Sequence, residues 1–230
     1  MRSIRLGALA GTGFFVLTMV GNGMNTSGEN PGTGGAAALA NLQRHQTLGN
    51  QVGIGLEVSG FLLLFFFLGA LHRILRRAEG PDGWLATSGF AAGISFLAVK
   101  LMSGAFVLAA RERKDVLTPA LARTLNDIGG TAFVVSGALL GMATLAAGLS
   151  CLGSGALPRW LGWSGAVCGA GAVAETLVGV YHPLSYFPGA FLLSMLWVAV
   201  VGVVLFRQPA PRAMPDLTAS PDATAVRASA

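Results

Sequence analysis

The chain of 230 residues is 53 % hydrophobic and only 11 % charged, with mean hydropathy +0.65 and net charge +5. A soluble domain carries about 25 % charged residues, so this composition excludes an ordinary water-soluble enzyme or binding module. It also argues against a nucleic-acid partner, because the thirteen Arg and two Lys cluster beside apolar runs, where lipid headgroups account for them.

The first apolar run covers residues 6–24, behind Arg2 and Arg5. Its basic start and apolar middle fit a signal peptide, but Gly21-Asn22-Gly23-Met24-Asn25 offers no small-residue cleavage site, so a retained helix is expected. Residues 25–35 form a polar, Gly-rich loop broken by Pro31. From Ala36 the residues favour helix, and that helix is expected to run straight into the second span, residues 48–71. The basic block His72 to Arg77 ends it, and Glu79-Gly80-Pro81-Asp82-Gly83 reads as a tight turn. A third span covers 84–110. A charged loop opens at Arg111, and Pro119 suits the start of a short helix. The fourth span is expected at 125–149, the fifth at 160–180 behind Leu157-Pro158-Arg159, and the sixth at 189–206. Each run is long enough to cross about 30 Å of hydrocarbon as a helix. The tail from Arg207, residues 207–230, is rich in Pro, Ala, Ser and Thr and reads as a disordered cytoplasmic tail.

The fold class expected is all-α, a polytopic membrane helix bundle of six transmembrane helices filling residues 1–206. Eight basic residues (Arg2, Arg5, Arg73, Arg76, Arg77, Arg159, Arg207, Arg212) fall on the side of the chain ends. Five (Arg44, Arg111, Arg113, Lys114, Arg123) fall on the other. The excess places both ends in the cytoplasm, N-in and C-in. Trp84, Trp160 and Trp163 agree by lying at one interface, with Tyr181 and Tyr186 at the other.

Four ionisable side chains stand inside the apolar runs: Glu57, Lys100, Asp127 and Glu175. A charge at that depth costs several kcal/mol unless it is paired, neutralised or hydrated. Helical spacing puts small residues beside each: Gly49, Gly53 and Gly60 by Glu57, Gly93, Ser103 and Gly104 by Lys100, Gly130 by Asp127, Gly171 and Gly179 by Glu175. Small residues let membrane helices approach closely, so these faces are expected to look inward while Phe61, Phe65 and Leu68 meet lipid. At about 1.5 Å per residue, Glu57 and Lys100 lie roughly 13 and 15 Å from the same end of consecutive spans, and they are expected to pair. With Asn50, Gln51, Asn126 and His182 on that side, the outer half is expected to hold a polar pocket and the inner half to be dry. Two readings compete for the cluster. In one it is structural: an ion pair fixes helix register and Asp127 caps the fourth span. In the other it binds a cation, a proton or a small polar ligand.

Other signals point away from chemistry. Cys151 and Cys168 form no C-x-x-C pair and read as small, reduced residues. Gly169-Ala170-Gly171-Ala172-Val173-Ala174 matches a dinucleotide fingerprint in letters only, because it lies mid-span; helix packing explains it. His45, His72 and His182 fall at span ends, so no haem ligand is expected inside the bundle. No metallohydrolase, serine-hydrolase or phosphate-loop motif occurs. No cofactor, no metal and no catalytic residues are expected.

The runs Leu125-Asn126-Asp127-Ile128-Gly129-Gly130-Thr131-Ala132-Phe133 and Ala156-Leu157-Pro158-Arg159-Trp160-Leu161-Gly162-Trp163 carry a resemblance, as does Leu75-Arg76-Arg77-Ala78-Glu79-Gly80 before Gly83-Trp84-Leu85. Over residues 49–206 the chain resembles a family of uncharacterised multi-pass membrane proteins of high-GC bacteria, a domain of unknown function. The resemblance implies a helical fold in the bacterial inner membrane, and no activity. Lys100 and Glu175 are outside its pattern. The function expected is a non-enzymatic accessory or partner-binding membrane component, with the lipid bilayer and a second copy or another membrane protein as partners. The alternatives are a small transporter or channel-like protein using Glu57, Lys100 and Glu175, and, third, a membrane enzyme acting on lipid.

Overall fold

In the computed structural model of the chain, the structure describes residues 2–24, 34–44, 47–112, 116–181 and 187–207. They form seven helices: α1 (Arg2–Met24), α2 (Gly35–Arg44), α3 (Leu48–Glu79), α4 (Leu85–Glu112), α5 (Pro119–Ser154), α6 (Arg159–Tyr181) and α7 (Gly189–Arg207). All but the short α2 are long and apolar enough to cross a membrane. The polar loop after α1, His182 and the tail beyond Arg207 lie outside the described residues.

The helix limits follow local chemistry. Thr47 caps α3, its Oγ1 accepting from the Asn50 N–H at 3.3 Å in an extended backbone conformation. α2 therefore does not run into α3 as the helix-favouring residues suggested; the cap sets a separate start. Thr118 does the same for α5 through the Leu121 N–H, with Pro119 in the first turn. Pro119 thus opens the longest helix of the bundle rather than a short one. At 36 residues α5 is about 54 Å long, well beyond the hydrocarbon thickness, and its first turns reach past it to meet Gly35 of α2. It ends at Gly155, whose left-handed backbone (φ 68°) lets its N–H bond the Cys151 carbonyl at 2.9 Å.

The six long helices form a closed ring in the order α1, α3, α4, α5, α6, α7, each beside its neighbour and α7 back beside α1. All neighbours run antiparallel. Gly202 of α7 faces Ala8 and Thr12 of α1, and the Thr12 hydroxyl donates to the Ala199 carbonyl at 3.1 Å. The start of α1 and the finish of α7 therefore share one end of the bundle, here the terminal end; α2 lies at the opposite, distal end.

Two seams of the ring are made by glycine. Along α1–α3, a methyl added at Gly7 would come within 2.7 Å of the Ala70 Cβ. One at Gly21 would come within 2.8 Å of the Glu57 backbone nitrogen, and one at Gly60 within 2.6 Å of the Thr18 hydroxyl. Along α5–α6, Gly141 and Gly148 face Gly169 and Gly162, backbone against backbone. The seven-residue spacing on both helices keeps the glycines on one seam through two turns. The fingerprint-like Gly169 is thus a packing residue. A Thr176 hydroxyl bond to the Val134 carbonyl at 3.2 Å adds to this seam, and the Trp197 indole N–H donates to the Leu161 carbonyl at 2.9 Å between α7 and α6. The outer surface stays apolar, with Leu62, Phe66, Val167 and Leu177 all exposed, as expected where lipid replaces water.

Candidate functional site

Lys100 comes from the middle of α4. Its Nζ lies 4.5 Å from the centre of the Phe133 ring and 5.9 Å from that of Phe61. Those rings belong to an aromatic cluster on the axis of the bundle. Phe14 meets Phe61 at 6.0 Å between centroids, Phe61 meets Phe96 at 6.1 Å, Phe96 meets Phe191 at 6.2 Å, and Phe191 meets Phe133 at 5.5 Å. Five helices each contribute one ring, and the ammonium covers two of them from the distal side. Lys100 is half-buried, and a cation over an aromatic face gains from about 0.5 kcal/mol when exposed to about 2 kcal/mol when desolvated.

Two expectations fail here for one reason. Phe61 and Leu68 are buried, at 4 % and 6 % exposure, and do not meet lipid; Phe65, at 39 %, does. Phe61 lies one turn beyond Glu57, so the small-residue face and the Phe61–Leu68 face are a single broad inward face. Nor does an ion pair join Glu57 to Lys100 among the described residues. The two helices touch in their terminal halves, at Leu68–Gly93, His72–Phe90 and Glu79–Ala86. Towards the distal end α3 leans on α1, with Glu57 half-buried against Gly21, while α4 leans on α5 through Lys100 and Phe133. The levels match and the directions do not.

Asp127 is not a cap. It stands two turns inside α5, 48 % exposed, with its Oδ2 at 3.6 Å from Arg123 Nε one turn earlier. Such exposed i, i+4 pairs contribute a few tenths of a kcal/mol. The capping at the start of α5 comes from Thr118 instead.

Glu175 reaches from α6 to the start of α7. Its Oε1 accepts from the Ala190 N–H at 2.6 Å and its Oε2 from the Phe191 N–H at 3.1 Å. The Gly189 N–H is held by the Phe187 carbonyl and the Leu192 N–H by the Pro188 carbonyl. Pro188 has no N–H and the Leu192 bond is the first i→i−4 bond of the helix, so the three amides that the first turn leaves without intrahelical partners, those of Gly189, Ala190 and Phe191, are all satisfied at α7. A carboxylate there also faces the positive end of the helix dipole. Gly171, one turn before, lets Ala190 approach.

The structure thus does not gather the four charges into one site. Lys100 and Glu57 stand at similar depth on diverging faces, Asp127 lies on the surface of α5, and Glu175 belongs to the α6–α7 joint. Asn50 is buried near the start of α3 and Gln51 is exposed. No group of three His, Cys, Asp or Glu suited to a metal occurs among the described residues, and both cysteines are free.

The sequence reading missed Glu79 at the terminal end. Taken for a turn residue, it ends α3, and its Oε1 accepts from the Ala86 N–H at 2.9 Å, capping α4 across the turn. Arg76 holds the same turn by donating to the Gly80 and Pro81 carbonyls. The legible signal was an acid six residues before the helix start at Leu85 with a Gly-Pro-Asp-Gly turn between. A cavity of about 20 Å³ lies close by, lined by Leu71, His72, Leu75, Ala86, Phe90 and Ala147 among others. It has room for about one water. The sequence placed a polar pocket in the distal half; this cavity is small, mostly apolar and in the terminal half, while the described rings pack at mid-depth.

A protein-family model described as a domain of unknown function (DUF4386) matches residues 9–211. Neither a curated protein nor a solved structure matches the chain.

Proposed function

The chain belongs to the DUF4386 family, a domain of unknown function, and from that premise we propose that it is a non-enzymatic component of the cell membrane that works by binding a membrane partner. The reading places both chain ends in the cytoplasm, because Arg73, Arg76, Arg77, Arg159 and Arg207 gather at the terminal end. One observation carries it: Lys100 and Glu175 are engaged in holding helices together, Lys100 on two core rings and Glu175 on two α7 amides. An alternating-access site needs groups that can release what they hold. Neither arrangement supplies that, and the rings between them close the axis of the bundle. An acid–base enzyme needs two polar groups within hydrogen-bond reach beside a lipid opening, and the dispersal of the four charges argues against it.

Proteoliposomes decide between this reading and transport. With proton, sodium and potassium gradients imposed in turn, flux should equal that of protein-free vesicles. Electrogenic flux that disappears in Glu57→Gln or Lys100→Met overturns the proposal. The partner side is read by photo-crosslinking from the exposed faces of α4 and α6 in native membranes, where a discrete adduct of reproducible mass is expected.

A further inference from the structure

The outward face of α3 changes along its length from apolar to basic. Leu62, Phe65, Phe66, Gly69, Arg73 and Arg77 recur at three- and four-residue intervals, so they share one face, and all are exposed. A Cβ added at Gly69 would meet nothing within 4 Å. The stripe therefore has a notch between the Phe66 ring and Arg73. Arg76, beside it, is already held by the Gly80 and Pro81 carbonyls, which leaves Arg73 and Arg77 to face outward.

Their depth is fixed by the turn. The Glu79–Ala86 bond brings the end of α3 level with the start of α4, where Trp84 is 67 % exposed. An exposed Trp beside an apolar surface sits at the headgroup level. Arg77 is at about that level, and Arg73 is one turn, roughly 6 Å, deeper, within reach of the headgroups by extending its side chain. Of the acids described at this end, Glu79 is engaged with α4 and Asp82 stands in the turn, so none lies on the stripe itself.

We propose that this stripe is a binding site for one anionic phospholipid. The phosphate sits between the guanidinium groups of Arg73 and Arg77, whose forked donors suit phosphate oxygens. An acyl chain runs over the Gly69 notch against Phe66 and Leu62. A zwitterionic lipid offers the same phosphate but carries its own cation, which weakens the pairing. The inference rests on membrane embedding and is independent of the partner-binding reading.

Native mass spectrometry of the full chain in a mild detergent tests it, with phosphatidylglycerol and phosphatidylcholine of equal chain length as probes. Phosphatidylglycerol should bind at least about tenfold tighter. Arg73→Gln and Arg77→Gln should each weaken it about fivefold and together roughly thirtyfold. Gly69→Leu should weaken it with no change in charge, and Arg159→Gln with Arg207→Gln, at the same end, should leave it within about twofold. Glycerol phosphate at millimolar concentration should not compete. Equal binding of the two lipids, an unchanged double variant, or an equal loss in the Arg159/Arg207 control overturns the site in favour of a diffuse basic belt. Competition by glycerol phosphate overturns it in favour of a soluble anion. Should the Gln variants fail to fold, Arg73→Lys with Arg77→Lys keeps the charge and removes the fork, and a loss of several-fold is still expected.

Discussion

Replacing Glu175 by Ala removes the two acceptors that hold the Ala190 and Phe191 amides. The loss can be worked from the bonds. A hydrogen bond to a charged group contributes about 1.5–3 kcal/mol, so two give roughly 3–6 kcal/mol. Glu175 is half-buried and lies about four residues above the last turn of α6, so water can reach the freed amides in part, and about 2–4 kcal/mol remains. For a chain of this size that corresponds to a melting shift of order 5–10 °C. Glu175→Gln keeps one acceptor and should show about half the effect. Thermal unfolding in detergent gives the magnitude, and hydrogen exchange gives the place: the Ala190 and Phe191 amides should exchange faster while the last turns of α7, paired with α1, stay protected. If Glu175→Ala melts within a degree or two of the native protein and exchange at α7 is unchanged, the clamp does not stabilise the bundle and the carboxylate must be assigned another role.

The Glu57→Gln and Lys100→Met substitutions should add, the double variant lying within about 0.5 kcal/mol of the sum, because no ion pair couples them. A clear non-additive term in chemical unfolding would restore the pair. Gly169→Ala should destabilise by about 2 kcal/mol or more, or prevent folding, since its methyl would lie 2.8 Å from the Leu145 Cα. Gly104→Ala, with nothing within 4 Å, should be neutral or raise stability by up to about 1 kcal/mol; equal losses at both positions would refute the close-packed seam.

Much of the architecture was legible because each lipid-crossing run announces itself by length and apolarity. The turn at Gly80 and the break before α6 were also marked by Gly and Pro. What was hidden were facts of direction between helices. Glu57 and Lys100 have matching depth, which rise per residue gives, but their pairing depends on which neighbour each helix leans on, and that is set by Gly21 on α1 and Phe133 on α5. The aromatic cluster was equally hidden. Phe14, Phe61, Phe96, Phe133 and Phe191 are far apart in the chain, and in a lipid-soluble sequence a phenylalanine suits the core and the outer surface alike. Glu79 was missed because composition marks a turn without saying which side chain closes it. The continuity of the helix opened by Pro119 with the fourth span was hidden because polar residues such as Asp127 read as an end of a span, whereas the helix extends past them.

The closing of the ring by α1 and α7 orders the events of synthesis. The seam of Ala8 and Thr12 with Ala199 and Gly202 joins α1 to α7, which leaves the ribosome after the five other described helices of the ring. Until α7 emerges, α1 keeps one flank open in the bilayer and the partly made protein is a crescent with two unsealed edges. Sealing of the ring therefore waits for α7, and any product stopped before it carries that open flank of α1 exposed to lipid.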